Sequence, residues 1–178
     1  RVDKGLVMFL TRHHKPVVIV GTKWDLARGR TRPAEWEDYI RRSLPALAFA
    51  PISLISVREG GFNVAATLEL CWELLEQSRT RVGTGELNRV VEDSVRARSP
   101  RPRRGGREPR IYYATQVAVG PPTIVLFVND SKLFTKEYER YLQNRFRENL
   151  PYPEVPVRIL FRDREGRDGG GAAGPDRP

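Results

Sequence analysis

The sequence predicts an α/β protein with two units, a parallel sheet with flanking helices followed by a smaller α+β unit. Between residues 15 and 78 a strand, a loop and a helix follow one another twice, and such alternation is typical of parallel strands joined by right-handed crossovers. The later elements follow the order α-β-β-α-β, with a basic, Pro- and Gly-rich stretch after the first of them. With 178 residues, 39% of them hydrophobic, the chain can bury one ordinary core or two small ones.

The first strand is predicted within residues 15–20. It ends in a run of four β-branched residues from Val17 to Val20, which is typical of a strand buried on both faces of a parallel sheet. Pro33 then stands near the start of a helix that Pro45 ends. The apolar positions of this helix recur at helical spacing and are Trp36, Tyr39, Ile40 and Leu44.

The second strand is predicted within residues 49–55, and a Gly-containing loop, residues 56–63, leads from it to another helix. The buried stripe predicted for that helix is Val64, Leu68, Cys71 and Leu75. Cys71 is the single cysteine, which excludes a disulfide framework and a Cys-rich metal site and fits a reducing compartment. We interpret Cys71 as a core residue. Ligand sites of such sheets lie beyond the carboxyl ends of the strands, where both loops of this unit fall.

The pattern resets at residues 79–84, and we place a domain boundary here, between residues 1–82 and 83–164. Thr84 can cap a helix whose apolar positions are Leu87, Val90, Val91 and Val95. Residues 111–119 alternate as a strand, with Ile111, Tyr113, Thr115, Val117 and Val119 on one face. A Gly-Pro-Pro turn leads to an apolar strand over residues 123–128.

The second unit closes with a helix and a strand. Thr135 can cap the helix, which carries Tyr138, Tyr141, Leu142 and Phe146 on one side. The last strand places Val155, Val157, Ile159 and Phe161 on one face and Arg158 and Arg162 on the other. From Asp163 onward apolar periodicity is lost, and residues 165–178 are predicted to be a disordered tail.

The charge balance makes a polyanionic partner such as RNA plausible. Thirty-one Lys and Arg residues face 22 Asp and Glu residues, a formal net charge of +9. The basic loop at residues 96–110 is too polar to order itself, and its arginines are Arg96, Arg98, Arg101, Arg103, Arg104, Arg107 and Arg110. Arginine forks can bind phosphates bidentately, so we expect this stretch to contact nucleic acid. The alternative is a solvated loop without a partner.

A short motif with guanine-binding chemistry directly follows the first predicted strand. Thr22, Lys23 and Asp25 resemble the [NT]KxD element of GTPases. A carboxylate at Asp25 can accept two parallel hydrogen bonds from the N1 and N2 donors of guanine, a face that adenine does not offer. After the second strand, Ser56 and Val57 resemble the SA[KL] element of the same enzymes.

The chain resembles the carboxyl-terminal part of the bacterial GTPase family Der, also named EngA, in which two GTPase domains precede a KH-like domain. The resemblance is carried by IYYATQV at residues 111–117, PPTIVLFVN at 121–129, YERYLQNR at 138–145 and VPVRILFR at 155–162. It implies that residues 1–82 are the carboxyl-terminal part of the second GTPase domain and that 83–164 are the KH-like domain. Thr22, Lys23 and Asp25 would then recognise guanine, with Ser56 and Val57 supporting the loop.

The resemblance also implies cofactors and partners. These are GTP or GDP, Mg²⁺ in the intact protein only, the large ribosomal subunit with its rRNA, and GTPase domains preceding this chain. The sequence contains no GxxxxGK[ST] phosphate loop, so we assign no catalytic residue and expect this chain alone to be inactive. Asp163 to Gly166 matches DxxG, which we interpret as coincidence. The alternative function is a non-catalytic RNA- or ribosome-binding module derived from the same family.

The sequence also bears on the cellular compartment, on metal binding and on whether the chain is part of a longer protein. No apolar run approaches the roughly 20 residues that cross a bilayer and no signal peptide opens the chain, so we expect a cytoplasmic protein without membrane contact. His13 and His14 have no acidic or cysteine partner at ligand spacing, and we predict no metal site. The chain begins at Arg1 rather than Met, and we expect it to be a fragment.

Overall fold

A computed structural model describes residues 2–58, 60–101 and 107–164. In chain order the regular elements are α1 (Val2–Arg12), β1 (Ile19–Gly21), α2 (Pro33–Ser43), β2 (Ile52–Leu54), α3 (Val64–Arg79), α4 (Thr84–Ala97), β3 (Ile111–Ala118), β4 (Thr123–Val128), α5 (Lys136–Asn149) and β5 (Arg158–Asp163). Short 3-10 turns cover Trp24–Leu26, Pro45–Leu47 and Ser131–Leu133. The predicted α/β class is confirmed.

The first unit contains two parallel strands with helices around them. β1 pairs with β2 in the register Ile19 to Ile52 and Gly21 to Leu54. Both strands are three residues long, shorter than the predicted 15–20 and 49–55. Val20 is 40% exposed, so the prediction of a strand buried on both faces is wrong for the described residues. A sheet of two strands leaves part of each strand uncovered. The β-branched run predicted burial wrongly because such a run indicates only that the residues suit a buried strand.

Helix α1 was not predicted by the sequence analysis. It covers Val2–Arg12 and ends just before His14, whose φ of 49° reverses the chain into β1. Its apolar residues Leu6, Met8 and Phe9 are exposed. Val7 and Leu10, three residues apart, are its half-buried apolar residues, and this spacing is the helical signal that the segment carries.

The stripe predicted for α3 is wrong. Leu68 is 67% exposed, and Cys71 is exposed as well rather than a core residue. The buried residues of the helix are Leu74 and Ser78, on the side where Thr67 also bonds to Ser53 of β2. The narrow sheet and the second unit cover one side of α3, and the more hydrophobic side faces away from both.

The second unit is a three-stranded sheet with α4 and α5 on one face. β3 and β4 are antiparallel, whereas β4 and β5 are parallel, with Thr123 opposite Arg158 and Phe127 opposite Arg162. The largest fully buried side chains include Leu87, Ile124, Leu126, Leu142 and Phe146. The predicted faces of α5 and β5 are confirmed, and Thr135 caps α5 by accepting a hydrogen bond from the Tyr138 N–H. β5 continues to Asp163, two residues beyond the predicted last core position.

Gly83, not Thr84, is the N-cap of α4, which differs from the prediction. The structure also shows which face of β3 is buried: Ala114 and Gln116 belong to the core face, whereas Tyr113 and Val117 are exposed. Strand alternation fixes which residues share a face but not which face is buried, and β3 also has irregular register at both ends.

The two units contact each other over several elements. Leu74 of α3 belongs to the hydrophobic cluster formed by the second unit, and the Gly120 N–H donates to the Ser78 carbonyl over 2.9 Å. The Arg147 guanidinium of α5 lies 4.4 Å from the centre of the Phe49 ring. A cleft of about 820 Å³ runs beside this contact, lined by His14 and Phe49 from the first unit and by Arg140 and Arg147 from the second.

Candidate functional site

The loops that follow β1 and β2 lie side by side at the carboxyl ends of the two parallel strands. The Ile55 N–H donates to the Gly21 carbonyl over 2.8 Å, and the Trp24 N–H donates to the Ile55 carbonyl over 3.0 Å. Backbone hydrogen bonds therefore continue beyond the end of the short sheet. They hold the loop containing Thr22, Lys23 and Asp25 against the loop that begins at Ser56.

Trp24 fixes the shape of the first loop. Its side chain is buried, whereas the neighbouring Thr22 and Lys23 are exposed. Lys23 has φ 58° and ψ 37°, a left-handed conformation that costs a non-glycine residue about 1–2 kcal/mol. Burial of the indole and the Trp24 backbone hydrogen bond offset this cost. The turn exposes the Lys23 side chain next to Asp25.

Asp25 and Ser56 are joined directly. The Ser56 hydroxyl donates to Oδ1 of Asp25 over 2.6 Å, and Ser56 is fully buried. The Ser56 N–H donates in turn to the Phe62 carbonyl over 3.2 Å. A carboxylate has about four lone-pair positions, so one bond from Ser56 orients Asp25 and leaves Oδ2 available as an acceptor.

The other two predicted residues occupy the rim of the same site. The Val57 side chain is 77% exposed, and within the described part of the chain its backbone N–H has no hydrogen-bond acceptor. Thr22 is also exposed, and among the described residues its hydroxyl makes no hydrogen bond. The structure thus brings Asp25 and Ser56 into contact, and it places Thr22, Lys23 and Val57 in the same two loops, where their side chains make no hydrogen bond or ion pair with other described residues.

Sequence reasoning missed the residues that close the second loop. Phe62 pairs with Ser56 in an isolated antiparallel bridge, and Arg28 lies over the Phe62 ring at 5.4 Å. Asn63 adopts φ 61° and donates from its side chain to the Leu54 carbonyl over 3.2 Å. The adjacent Gly60 and Gly61, both with positive φ, are the sequence signal that could have indicated this tight return.

A cavity of about 420 Å³ adjoins these loops on the side of α3. It is lined by Trp24, Ser53, Phe62 and Asn63 among others, but not by Asp25. The half-buried Asp25 therefore lies outside this cavity. Among residues 2–58, 60–101 and 107–164, no group of three His, Cys, Asp or Glu side chains is arranged to hold a metal ion. The described helices include none long and apolar enough to cross a membrane.

The basic segment begins on a helix rather than in a loop. Arg96 is in the last turn of α4 and pairs with Asp93 at 3.4 Å. Arg98 forms an ion pair with Glu137 at 2.5 Å and lies 5.3 Å from the centre of the Tyr141 ring. These contacts correct the expectation that the whole stretch from residue 96 is unstructured.

The rest of the segment is exposed where it is described. Arg101, Arg107 and Arg110 are exposed, whereas Arg103 and Arg104 lie outside the described residues. The Arg110 N–H donates to the Asn129 side chain over 2.9 Å, and Asn129 donates to the Glu108 carbonyl over 2.7 Å. The segment is therefore anchored before β3 as well as at the end of α4.

Comparison with known proteins places both units in one family. A profile described as "KH-domain-like of EngA bacterial GTPase enzymes, C-terminal" matches residues 81–162, which contain α4, β3, β4, α5 and nearly all of β5. Proteins named GTPase Der match the first unit as well. The relative from Rhodopirellula baltica is 39% identical over 164 residues, which is 92% of this chain and 36% of the relative.

This chain belongs to the Der (EngA) family. Further Der relatives agree: that of Desulforudis audaxviator is 39% identical over 86% of this chain and 35% of its own length. That of Nostoc sp. is 39% identical over 93% of this chain and 37% of its own length. The chain thus spans a little over a third of the length of the Der relatives it matches. The resemblance stated from the sequence is confirmed, while the boundary at residues 82–83 and the roles of single residues stay predictions.

Proposed function

We propose that this chain supplies guanine recognition and the KH-like domain to a GTP-binding protein of ribosome biogenesis that acts in large-subunit assembly. GTP or GDP is the proposed ligand, and the large subunit with its rRNA is the proposed partner. The printed name of the Der relatives identifies them as GTPases, which supports a guanine nucleotide. The proposed compartment is the cytoplasm.

The observation that carries the nucleotide assignment is the 2.6 Å hydrogen bond from Ser56 to Asp25. It joins the two loops and holds a carboxylate with its second oxygen free at the carboxyl edge of a parallel sheet, where ligands of such sheets bind. Guanine presents two donors, N1–H and the N2 amino group, at the spacing of the two carboxylate oxygens. Adenine has an acceptor at N1 and no amino group at C2, so it would leave the carboxylate unpaired.

The neighbouring groups can complete the site. The Val57 N–H lies at the start of the second loop and can donate to the guanine O6. The aliphatic stem of Lys23 can cover the base plane, because the left-handed turn exposes it beside Asp25. The 178-residue sequence has no phosphate-binding GxxxxGK[ST] motif, so these residues bind the base. Phosphates and Mg²⁺ would be held by residues of the intact protein, and we expect no GTP turnover by this chain.

The test replaces the Asp25 carboxylate, which only accepts hydrogen bonds, with an amide, which can also donate one. Xanthine carries an acceptor at C2 where guanine carries the amino donor, so Asp25→Asn should weaken binding of GMP and strengthen binding of XMP. Binding is followed as chemical-shift changes of backbone amides in the two loops. Asp38→Asn, the same exchange on the exposed surface of α2, is the matched control and should leave both ligands unaffected. Equal binding of GMP and AMP by the unchanged chain would refute the guanine assignment.

The alternative function is a non-catalytic RNA- or ribosome-binding module. It is favoured by the basic segment, whose described arginines Arg101, Arg107 and Arg110 are exposed between two anchored ends. Salt-sensitive binding of this chain to ribosomal particles, lost when Arg101, Arg107 and Arg110 are changed to Glu, would support this function. If the chain binds ribosomal particles in this way but binds GMP no better than AMP, the alternative function is favoured over the first proposal.

A further inference from the structure

In the described residues, helices pack against only one face of the three-stranded sheet of the second unit. Residues of its inner face, such as Ala114, Leu126 and Ile159, are buried under α4 and α5. The register places Tyr113, Phe127 and Arg162 in one row across the opposite side, followed by Thr115, Val125 and Leu160. We name this side the outer face. Tyr113 and Leu160 are 43% and 39% exposed, so one end of it is accessible.

Two aromatic rings stack at this accessible end. Tyr113 and Phe127 have ring centres 4.3 Å apart and planes inclined by 16°. Tyr113 lies on β3, an edge strand, so no other strand of the described residues covers the side of its ring that is turned away from Phe127. A ring already stacked on one side is held rigidly for a second flat group to stack on the other.

Two arginines lie near the exposed rings of this end of the sheet. Arg162 is opposite Phe127 on β5, and the guanidinium of Arg164 lies 5.2 Å from the centre of the Tyr112 ring. In the described part of the chain neither arginine has an acidic side chain within salt-bridge distance. The basic segment ends at Arg110, immediately before β3 begins at Ile111. The arginine side chains and the exposed aromatic rings therefore lie next to each other at this end of the sheet.

The edge of β3 is closed to strand addition near these rings. Asn88 donates to the Ala114 carbonyl over 3.0 Å and accepts from the Ala114 N–H over 2.7 Å. Arg81 donates to the Gln116 carbonyl over 3.2 Å. The backbone groups that an extended peptide would pair with are occupied, so a ligand at this end must be recognised through side chains.

We propose that the outer face binds single-stranded nucleic acid, with a base stacked on Tyr113 and phosphates held by Arg162 and Arg164. Aromatic rings and arginines on an accessible sheet match the chemistry of a strand whose bases are unpaired, because every base has a π face and every linkage a negative charge. This surface is separate from the guanine site. The proposal rests on the proposed RNA partner and deepens it, because it names single-stranded RNA as the form bound and the side chains that bind it.

The test measures binding of a fluorescent oligouridylate of about twelve nucleotides, a length in the range of such sites. Tyr113→Leu keeps an apolar side chain but removes the ring, and it should weaken binding about tenfold, as loss of one stacked base does. Tyr113→Phe keeps the ring and should bind like the unchanged chain. Tyr39→Leu, on exposed α2, is the control for loss of a surface ring elsewhere. The thermal unfolding midpoint of each variant shows that the fold is retained.

Salt dependence separates the two kinds of contact. Tyr113→Leu should leave the salt slope of binding unchanged, whereas Arg162→Ala should lower it by roughly 0.7, the value for one phosphate contact with a single strand. A duplex RNA of the same charge should be insensitive to Tyr113→Leu.

Three results would overturn the proposal. Wild-type affinity of Tyr113→Leu for oligouridylate would exclude stacking and indicate a face for a protein partner, while leaving the basic segment as an RNA contact. Equal weakening for the duplex would exclude single-strand recognition. No binding of oligouridylate by the unchanged chain at low salt would overturn the proposal, and the guanine assignment, which the GMP and XMP titrations test, would be unaffected.

Discussion

Gln77 and Glu154 are joined by two hydrogen bonds across the junction of the two units. The Gln77 amide donates to the Glu154 carboxylate over 2.9 Å, and the Glu154 backbone N–H donates to the Gln77 side-chain oxygen over 3.1 Å. Gln77 is near the end of α3, which begins right after Asn63 in the second loop of the proposed guanine site. A helix of 16 residues, about 24 Å long, therefore links that loop to the KH-like unit.

The first prediction concerns this link. Gln77→Ala removes both hydrogen bonds and should lower the free energy of unfolding by about 1–2 kcal/mol. All three tryptophans are at positions 24, 36 and 72 in the first unit, so their fluorescence reports its unfolding, whereas far-UV circular dichroism reports both units. Urea titrations of the unchanged chain should give coincident transitions by the two probes, and those of Gln77→Ala should separate.

Gln143→Ala is the matched control for that experiment. Gln143 makes one hydrogen bond, to the Val157 carbonyl over 3.1 Å, within the second unit. Its loss should cost a similar or smaller free energy without separating the two transitions. If fluorescence and circular dichroism still coincide in Gln77→Ala, the two hydrogen bonds do not couple the units.

The adjacency of the two loops at the candidate site followed from the sequence more directly than the surroundings of the helices did. Thr22, Lys23, Asp25 and Ser56 form a local motif, and its meaning depends only on the two strands ending at one sheet edge. The buried side of α3 depends instead on what packs against the helix. Its Leu68 and Trp72 are exposed because the described sheet and the second unit cover the side of Leu74. Periodicity cannot show which neighbours a helix has.

The second prediction concerns a polar group in the core. Gln116 is buried on the inner side of β3, where its Oε1 accepts from the Val82 N–H over 2.8 Å and its Nε2 donates to the Thr80 carbonyl over 2.9 Å. Gln116→Leu would leave the Val82 N–H buried without a partner. We expect a loss of about 1–3 kcal/mol.

Thermal and urea unfolding of Gln116→Leu measure this loss. Thr115→Val, a change on the outer face one residue away, is the control and should alter stability far less. Stability equal to that of the unchanged chain in Gln116→Leu would show that burial of the leucine compensates for both hydrogen bonds.

The third prediction separates stability from nucleotide binding. Ser56→Ala removes the donor to Asp25 and should reduce stability by about 1–2 kcal/mol and weaken GMP binding severalfold, because the carboxylate loses its orientation. Ser53→Ala removes a 2.7 Å hydrogen bond between Ser53 of β2 and Thr67 of α3, so its stability should fall by a comparable amount while GMP binding is retained. Parallel losses of GMP binding in both variants would mean that Ser56 acts through the fold alone.

Gln116 and β3 show a second limit of sequence reasoning. Alternation over residues 111–119 correctly groups Tyr113 with Thr115, but it does not show which of the two faces is buried. The structure buries Ala114 and Gln116, because the Gln116 amide is matched by backbone groups of residues 80 and 82 that lie far away in the sequence. A buried glutamine is stable only with such partners, and a single sequence does not show them.

The last prediction is a loss of stability at alkaline pH. Burial raises the pKa of Tyr138 to about 12 from its usual value of 10, with the nearby Tyr141 adding to the rise and Arg98 opposing it. The Tyr138 hydroxyl donates to the Arg98 carbonyl over 3.0 Å. Since the folded chain holds this proton more tightly than the unfolded chain, the stabilisation is complete below pH 10 and is lost as the pH rises to about 12.

Urea unfolding at about pH 8 and about pH 11.5 measures this effect. Two pKa units correspond to at most about 2.7 kcal/mol, and Tyr138→Phe should show a smaller alkaline loss than the unchanged chain. Some loss should remain, because burial also raises the pKa of the Tyr152 hydroxyl. Tyr39→Phe, at an exposed position of α2, is the control and should keep the full loss. An equally steep decline in Tyr138→Phe would show that its buried hydroxyl does not cause the alkaline instability.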